Sequence, residues 1–391
     1  MIDISKTSFL KYLLFGSLYF MEGLNKAYII ILPVYFLDIN IPPEIITLIM
    51  GLATISMIIK FIWGGIVDYF IRRGRKIFVF IGGLFSSISL FILVIIDPSV
   101  AIVPFTIFML VGWIGVAFLD VSADAWAIEI SSEKERGKIN GAMFAGQNIG
   151  LTFGAILLPF IALRFGFSFT FLTGGLIVLL IIIFPLFVQE KLVVKKRVKM
   201  VGLLISEFKK KTTQFISIFA PFAYMSCGIL FFIVPIYLDI NLSLDVAQIG
   251  YISAIFTFAI AFGSLSGGII ADKLGRKKAL YIMLSGSLLS SASLIFTNNW
   301  LNFIIVYSII GFLQGGFAAA ALALLMDITN PKIGATQFSI LTGIANFGYI
   351  FAGSISGSLY TMLGFSRVFL YSAWIFGPAL LILHFIRFKK I

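Results

Sequence analysis

The strongest constraint on this chain is its succession of apolar runs, each about 20 residues long, the length a helix needs to cross a bilayer core. They follow one another almost from end to end, and only 12% of the residues are charged, against about a quarter in an ordinary globular chain. Backbone groups in hydrocarbon must be bonded within their own segment or in a closed barrel. Barrel strands alternate with a period of two, and these runs do not. The expectation is an all-α membrane protein with twelve transmembrane helices, at 9–37, 44–70, 77–96, 99–130, 137–163, 168–188, 212–238, 245–271, 278–296, 300–326, 334–362 and 366–386. Pro42-Pro43, Asp97-Pro98, Gly166, Asn298-Asn299, Asn330-Pro331 and Gly364 punctuate the junctions.

The distribution of basic residues sets an orientation. All of the 29 lysines and arginines except Lys26, Lys60, Arg164 and Arg367 fall in the termini and the even-numbered loops. By the positive-inside rule both termini and the central loop are expected on the cytoplasmic side of a cell membrane. The net charge of +12 is therefore a topology signal, and nucleic acid is not an expected partner. The first run follows Lys6 and Lys11, as a signal peptide would. It lacks a small-residue cleavage pattern and is interrupted by Glu22 and Lys26, so it is read as a retained first helix.

The chain also repeats itself. Gly64-Gly65-Ile66-Val67-Asp68-Tyr69-Phe70-Ile71-Arg72-Arg73-Gly74-Arg75-Lys76 returns, shortened, as Gly267-Gly268-Ile269-Ile270-Ala271-Asp272-Lys273-Leu274-Gly275-Arg276-Lys277-Lys278. Pro33-Val34-Tyr35-Phe36-Leu37-Asp38-Ile39-Asn40, closing the first span, is echoed by Pro235-Ile236-Tyr237-Leu238-Asp239-Ile240-Asn241, closing the seventh. These motifs resemble the major facilitator superfamily, whose loop between helices two and three is repeated between helices eight and nine. The first copy has three extra residues between Asp68 and Gly74.

The resemblance implies two six-helix bundles, 1–188 and 212–391, related by pseudo-two-fold symmetry and joined by a cytoplasmic loop, 189–211. It also implies a substrate near the midplane between the halves and a monomeric state. The basic central loop could meet anionic membrane lipid or serve only as linker and topology signal. A cytoplasmic gate is expected from Gly64, Asp68, Arg72, Arg73, Gly74, Arg75, Lys76, Glu129, Glu135, Arg136, Gly268, Asp272, Gly275, Arg276 and Lys277.

Asp120-Val121-Ser122-Ala123-Asp124-Ala125-Trp126, followed by Glu133-Lys134-Glu135-Arg136-Gly137, is similar to the muropeptide-permease and acetyl-CoA-transporter branch. Where that branch has Tyr-Arg-Leu-Gly, this chain has Gln147-Asn148-Ile149-Gly150. Asn148 thus stands where a basic substrate contact is expected.

Charges inside the spans are costly, about 2.5–3.5 kcal/mol each on insertion scales, so each needs a partner, a wet cavity or a task. Glu22, Lys26, Lys60, Asp120 and Asp124 qualify, all in the first half. The repeat places Tyr224, Gly228, Ser264, Ala319 and Ala323 opposite them, so the scaffold itself does not require charge there. Glu22 and Lys26, and likewise Asp120 and Asp124, are four residues apart on one helix face. A low-dielectric site disfavours a charged carboxylate, which suits proton relay. Proton coupling is accordingly expected at Glu22, Asp120 and Asp124. The expected substrate contacts are Asn25, Lys26, Lys60, Asn148, Tyr224, Gln314, Asn346 and Tyr349. A gating role, through ion pairs to the first basic turn, is the other reading of Asp124 and Glu129. Polar groups in apolar spans also serve simply to bond neighbouring helices.

The inventory argues against an enzyme. There is no nucleotide-cradling Gly-x-x-x-x-Gly-Lys-Ser/Thr loop, and the only cysteine and histidine are Cys227 and His384. No cofactor or metal is expected. The expectation is a secondary active transporter for a small solute, alternating access and coupled to protons. An efflux carrier or flippase for amphiphilic or lipid-linked substrates is one alternative. A non-transporting membrane receptor on the same scaffold is another.

Overall fold

The computed structural model describes residues 8–70, 73–130, 133–190, 200–297, 299–330 and 333–386, which are helical almost throughout. The helices are α1 (Ser8–Asp38), α2 (Pro43–Thr54), α3 (Lys60–Tyr69), α4 (Lys76–Leu93), α5 (Ile102–Ile130), α6 (Glu133–Phe165), α7 (Phe167–Ile183), α8 (Met200–Phe208), α9 (Lys211–Leu242), α10 (Val246–Leu274), α11 (Arg276–Ser293), α12 (Trp300–Asp327), α13 (Gly334–Leu363), α14 (Phe365–Trp374) and α15 (Phe376–Phe385). Among the described residues, all of them but α8 fall in 12 stretches long and apolar enough to cross a membrane. The second comprises α2 and α3, and the last α14 and α15.

Two compact units emerge. Unit 1 comprises Met1–Ile39, Leu52–Arg197 and Val246–Ala254; unit 2 comprises Asn40–Gly51, Val198–Asp245 and Ile255–Ile391. Small residues let the helices of each unit approach closely. In unit 1, a Cβ on Gly23 would stand 1.9 Å from the Gln147 carbonyl oxygen, and one on Gly150 2.1 Å from that of Phe20, so α1 and α6 touch backbone to backbone. In unit 2, Thr47 of α2 donates to the Ser354 carbonyl of α13 at 2.9 Å and accepts the Gly357 N–H at 3.1 Å.

Besides the split of the last span into α14 and α15, two features differ from the sequence reading. The second span is not one helix: a tighter turn over Ile55–Met57 separates α2 from α3. Such turns inside a span mark hinges or local strain. Here the β-branched run around the turn weakens helical preference, and the new helix begins at Lys60. The stretch 189–211, read as loop, contains α8. It mixes a buried carboxylate with exposed aliphatic side chains, which hides it from a search for a buried apolar stripe. Glu207 is buried and accepts from Lys210 and, at 2.8 Å, from Asn330 Nδ2, whereas Val201 and Ile205 are 69% and 53% exposed.

Candidate functional site

The ionisable residues of unit 1 converge from three helices. Edge-to-face packing of Phe15 on Trp126, with ring centroids 5.7 Å apart, seats α1 against α5. Beside that contact, Lys60 of α3 reaches Asp120 of α5, with Nζ 3.1 Å from Oδ2. Asp120 is only 3% exposed. The pairing compensates two charges that would each be costly to bury alone.

The hydroxyl of Tyr19, on α1, lies 2.9 Å from Asp120 Oδ1 and 2.5 Å from Asp124 Oδ1. Along the same helix Glu22 Oε1 pairs with Lys26 Nζ at 2.9 Å. The other oxygen, Glu22 Oε2, is buried with no hydrogen-bond partner. Glu22 also lies close enough to act electrostatically on Tyr19 and Lys60. Buried polar atoms are almost always bonded, so an open carboxylate oxygen offers a place for a donor from solvent or ligand.

Asn25 is held tightly. It donates to the Met21 carbonyl at 2.9 Å and accepts from Ser86 Oγ at 3.2 Å. It also borders a narrow cavity inside unit 1, with Tyr28, Ser89, Met109, Trp113 and Phe171. Asn148 turns its amide onto its own helix, donating to the Phe144 carbonyl at 2.9 Å.

In unit 2 the corresponding region is aromatic and uncharged. Tyr224 packs on Phe317, and Tyr349 lies against both Phe231 and Phe232. Gln314 is 7% exposed, and its Nε2 has no partner. Asn346 is half-buried on α13. The charges of unit 1 thus have no counterpart among these side chains.

The two basic turns are built alike. Gly74 and Gly275 both have φ +84°, a left-handed backbone that favours glycine. In the first turn Arg75 bonds Glu129 of α5 through NH2 at 3.0 Å and Nε at 3.2 Å, and Lys76 Nζ donates to the Val188 carbonyl at 3.0 Å. In the second, Arg276 Nε meets Asp327 of α12 at 3.3 Å, and Lys277 Nζ donates to the carbonyls of His384 and Ile386. The first turn carries one more group. The Glu190 carboxylate accepts the backbone N–H groups of Arg75 and Lys76, which begin α4. There the helix dipole favours negative charge, but burial pushes the Glu190 pKa above the ordinary carboxylate value.

Gly64 faces Val121 across a short gap, Gly268 has open space where a Cβ would be, and Arg73 lies over the Phe70 ring. Arg72 and the side chains of Asp68, Glu135, Arg136 and Asp272 lie outside the described residues.

Tyr19 and Glu190 escaped the sequence reading. Tyrosine in an apolar helix carries no pattern signal, although Tyr19 stands three residues before Glu22, on the same face. Nothing in the sequence marks Glu190, because its partners are backbone groups more than a hundred residues away.

The model of the Major Facilitator Superfamily matches residues 13–225 and 216–390. Among curated proteins, the chain is 24% identical over 351 residues to a putative transporter, AmpG 2, of Rickettsia typhi, covering 86% of this chain and 85% of the relative. It is 29% identical over 147 residues to the anhydromuropeptide permease of Escherichia coli, covering 36% of this chain and 29% of that protein. Among solved structures, the nucleoside transporter NupG superposes with a TM-score of 0.77 at 14% identity, covering 96% of this chain and 99% of the other.

Proposed function

The chain belongs to the major facilitator superfamily, a family of membrane transporters, and on that footing we propose that it is a secondary active transporter that alternates access and is driven by protons. The observation that carries the reading is the one-sided charge of unit 1. Glu22, Lys26, Lys60, Asp120 and Asp124 are held in an apolar bundle. The repeat shows that the scaffold is built without charge at the matching positions. An ion pair with no task is readily replaced by apolar side chains; a proton-coupled carrier needs ionisable groups whose partners change. Glu22 and Asp120 are the coupling carboxylates in this reading. Lys26 and Asn25 offer charge and hydrogen bonds to the solute, and the two basic turns close the cytoplasmic side, where both termini lie.

The relatives' names suggest the first solutes to test. A permease for anhydromuropeptides handles a sugar joined to a peptide, and the aromatic rings and side-chain amides of unit 2 suit stacking and hydrogen bonding to such a solute. Asn148 replaces the basic residue of that branch and spends its amide on Phe144, so a neutral or weakly acidic solute fits better than a strongly anionic one.

The experiment begins with a thermal-shift screen of the purified protein against sugars, peptides, muropeptides and amphiphiles at two pH values. The hit is then followed into proteoliposomes under a pH gradient. Glu22→Gln and Asp120→Asn should abolish accumulation above equilibrium. Undiminished accumulation in both variants would overturn the coupling assignment.

A further inference from the structure

One phenol hydroxyl in unit 1 faces two carboxyl groups at once. Tyr19 Oη is 2.9 Å from Asp120 Oδ1 and 2.5 Å from Asp124 Oδ1. A tyrosine hydroxyl has a single hydrogen to donate, and an ionised carboxylate only accepts. Three oxygens joined by two hydrogen bonds therefore need two hydrogens, and the tyrosine supplies one. The second must come from a carboxyl group.

The surroundings decide which one. Asp120 gives its other oxygen to the Lys60 ammonium at 3.1 Å, so its negative charge is matched. Among the described residues no ammonium or guanidinium pairs with Asp124. The remaining charged groups facing the cluster are Glu22 and Lys26 of α1, and they are paired with each other.

We propose that Tyr19 bridges Asp124 and Asp120 as a one-proton relay, with the proton resident on Asp124. This rests on the proton-coupled reading above and names its carrier. In the resting arrangement the Asp124 carboxyl donates to Tyr19 Oη, and Tyr19 O–H donates to Asp120. In the transfer the Asp124 hydrogen passes to Tyr19 Oη while the tyrosine's own hydrogen crosses to Asp120. O–H bonds break at Asp124 and Tyr19 and form at Tyr19 and Asp120. Tyrosine is neutral before and after, and Asp124 is left as carboxylate. Lys60 then faces a neutral Asp120 and loses its ion pair, at the first residue of α3, immediately after the break in its span. Proton position and the tether of α3 to α5 are thereby linked. Tyr19 is the middle member of the relay, exchanging its own hydrogen in each transfer.

The test needs no solute. Infrared spectra of the full chain in phospholipid vesicles at neutral pH should show a protonated-carboxyl C=O band that moves on ¹³C-aspartate labelling. It should vanish in Asp124→Asn and shift to higher frequency in Tyr19→Phe, where the hydrogen-bond acceptor is removed. Absence of a label-sensitive band in the wild type, its survival in Asp124→Asn, or indifference to Tyr19→Phe would each overturn the relay. Should Asp124→Asn fail to fold, the isotope label and Tyr19→Phe decide alone. The full pattern without proton-driven transport would support the bridge and remove the coupling reading. Proton-driven transport without the pattern would do the reverse.

Discussion

Arg75 reaches Glu129 with two guanidinium nitrogens on one carboxylate oxygen, and the two side chains are 4% and 6% exposed. Its counterpart in the second basic turn, Arg276 with Asp327, is 22% and 37% exposed. The same pairing thus exists twice in one chain, once out of water and once partly in it. Removing one partner of a buried pair costs about 3–5 kcal/mol; an exposed pair contributes about 0.2–1 kcal/mol. Glu129→Ala should therefore lower the thermal unfolding midpoint in detergent far more than Asp327→Ala. Equal losses would mean that burial does not set the difference.

Gly74 and Gly275 share the same backbone angle but not the same neighbours. A side chain at either site meets the left-handed penalty of about 1–2 kcal/mol. A Cβ on Gly74 would in addition stand 2.2 Å from Glu190 Oε2, whereas nothing lies within 4 Å of one on Gly275. Gly74→Ala should destabilise more than Gly275→Ala. Adding Glu190→Ala to Gly74→Ala should remove the steric part of the excess. Thermal midpoints of these variants and of Glu190→Ala alone check this as a double-mutant cycle.

Two carboxylates outside the membrane-spanning stretches should tilt the pH dependence of stability in opposite directions. Burial raises the Glu190 pKa against the pull of the Arg75 and Lys76 N–H groups. The folded chain therefore holds that proton to higher pH than the unfolded one, and the contribution of Glu190 falls as pH rises from the ordinary glutamate value through the raised one. Hydrogen bonds from Lys210 and Asn330 hold Glu207 below the usual range. Its contribution is full at neutral pH and lost as pH falls through the lowered value. The midpoint of wild type minus Glu190→Gln should decline as pH rises above the ordinary glutamate value, and that of wild type minus Glu207→Gln should climb as pH rises toward that value from below.

Lys60 and Asp120 allow stability to be separated from transport. Lys60→Met leaves Asp120 buried without its counter-ion, at a cost of about 3–5 kcal/mol. Lys60→Met with Asp120→Asn removes both charges and should recover most of the midpoint. Accumulation under a pH gradient should stay lost in the double variant, since no titrating carboxyl remains beside Tyr19 on that side. Recovery of both properties together would make the pair purely structural.

The twelve spans were legible because they rest on the crudest signal, apolar length. The basic turns were legible because glycine and charge recur at fixed spacing. What escaped depends on where helices lie against each other. The Tyr19 hydroxyl gains its meaning from the carboxyl groups of α5, and Glu190 from two backbone amides at the start of α4. The break before Lys60 has no proline or glycine to announce it, and α8 escaped because its carboxylate is buried while Val201 and Ile205 are exposed.

The left-handed glycines carry a further consequence. Torsion angle is a stricter ruler than residue identity for laying one half of this chain over the other. Pinned at Gly74 and Gly275, the halves come into register with guanidinium on carboxylate and lysine on carbonyl in both, despite the three-residue insertion in one. Whatever then fails to superpose, chiefly the Glu190 cap and the ionised groups of α1, α3 and α5, is what the first half has acquired or the second has shed since they were the same.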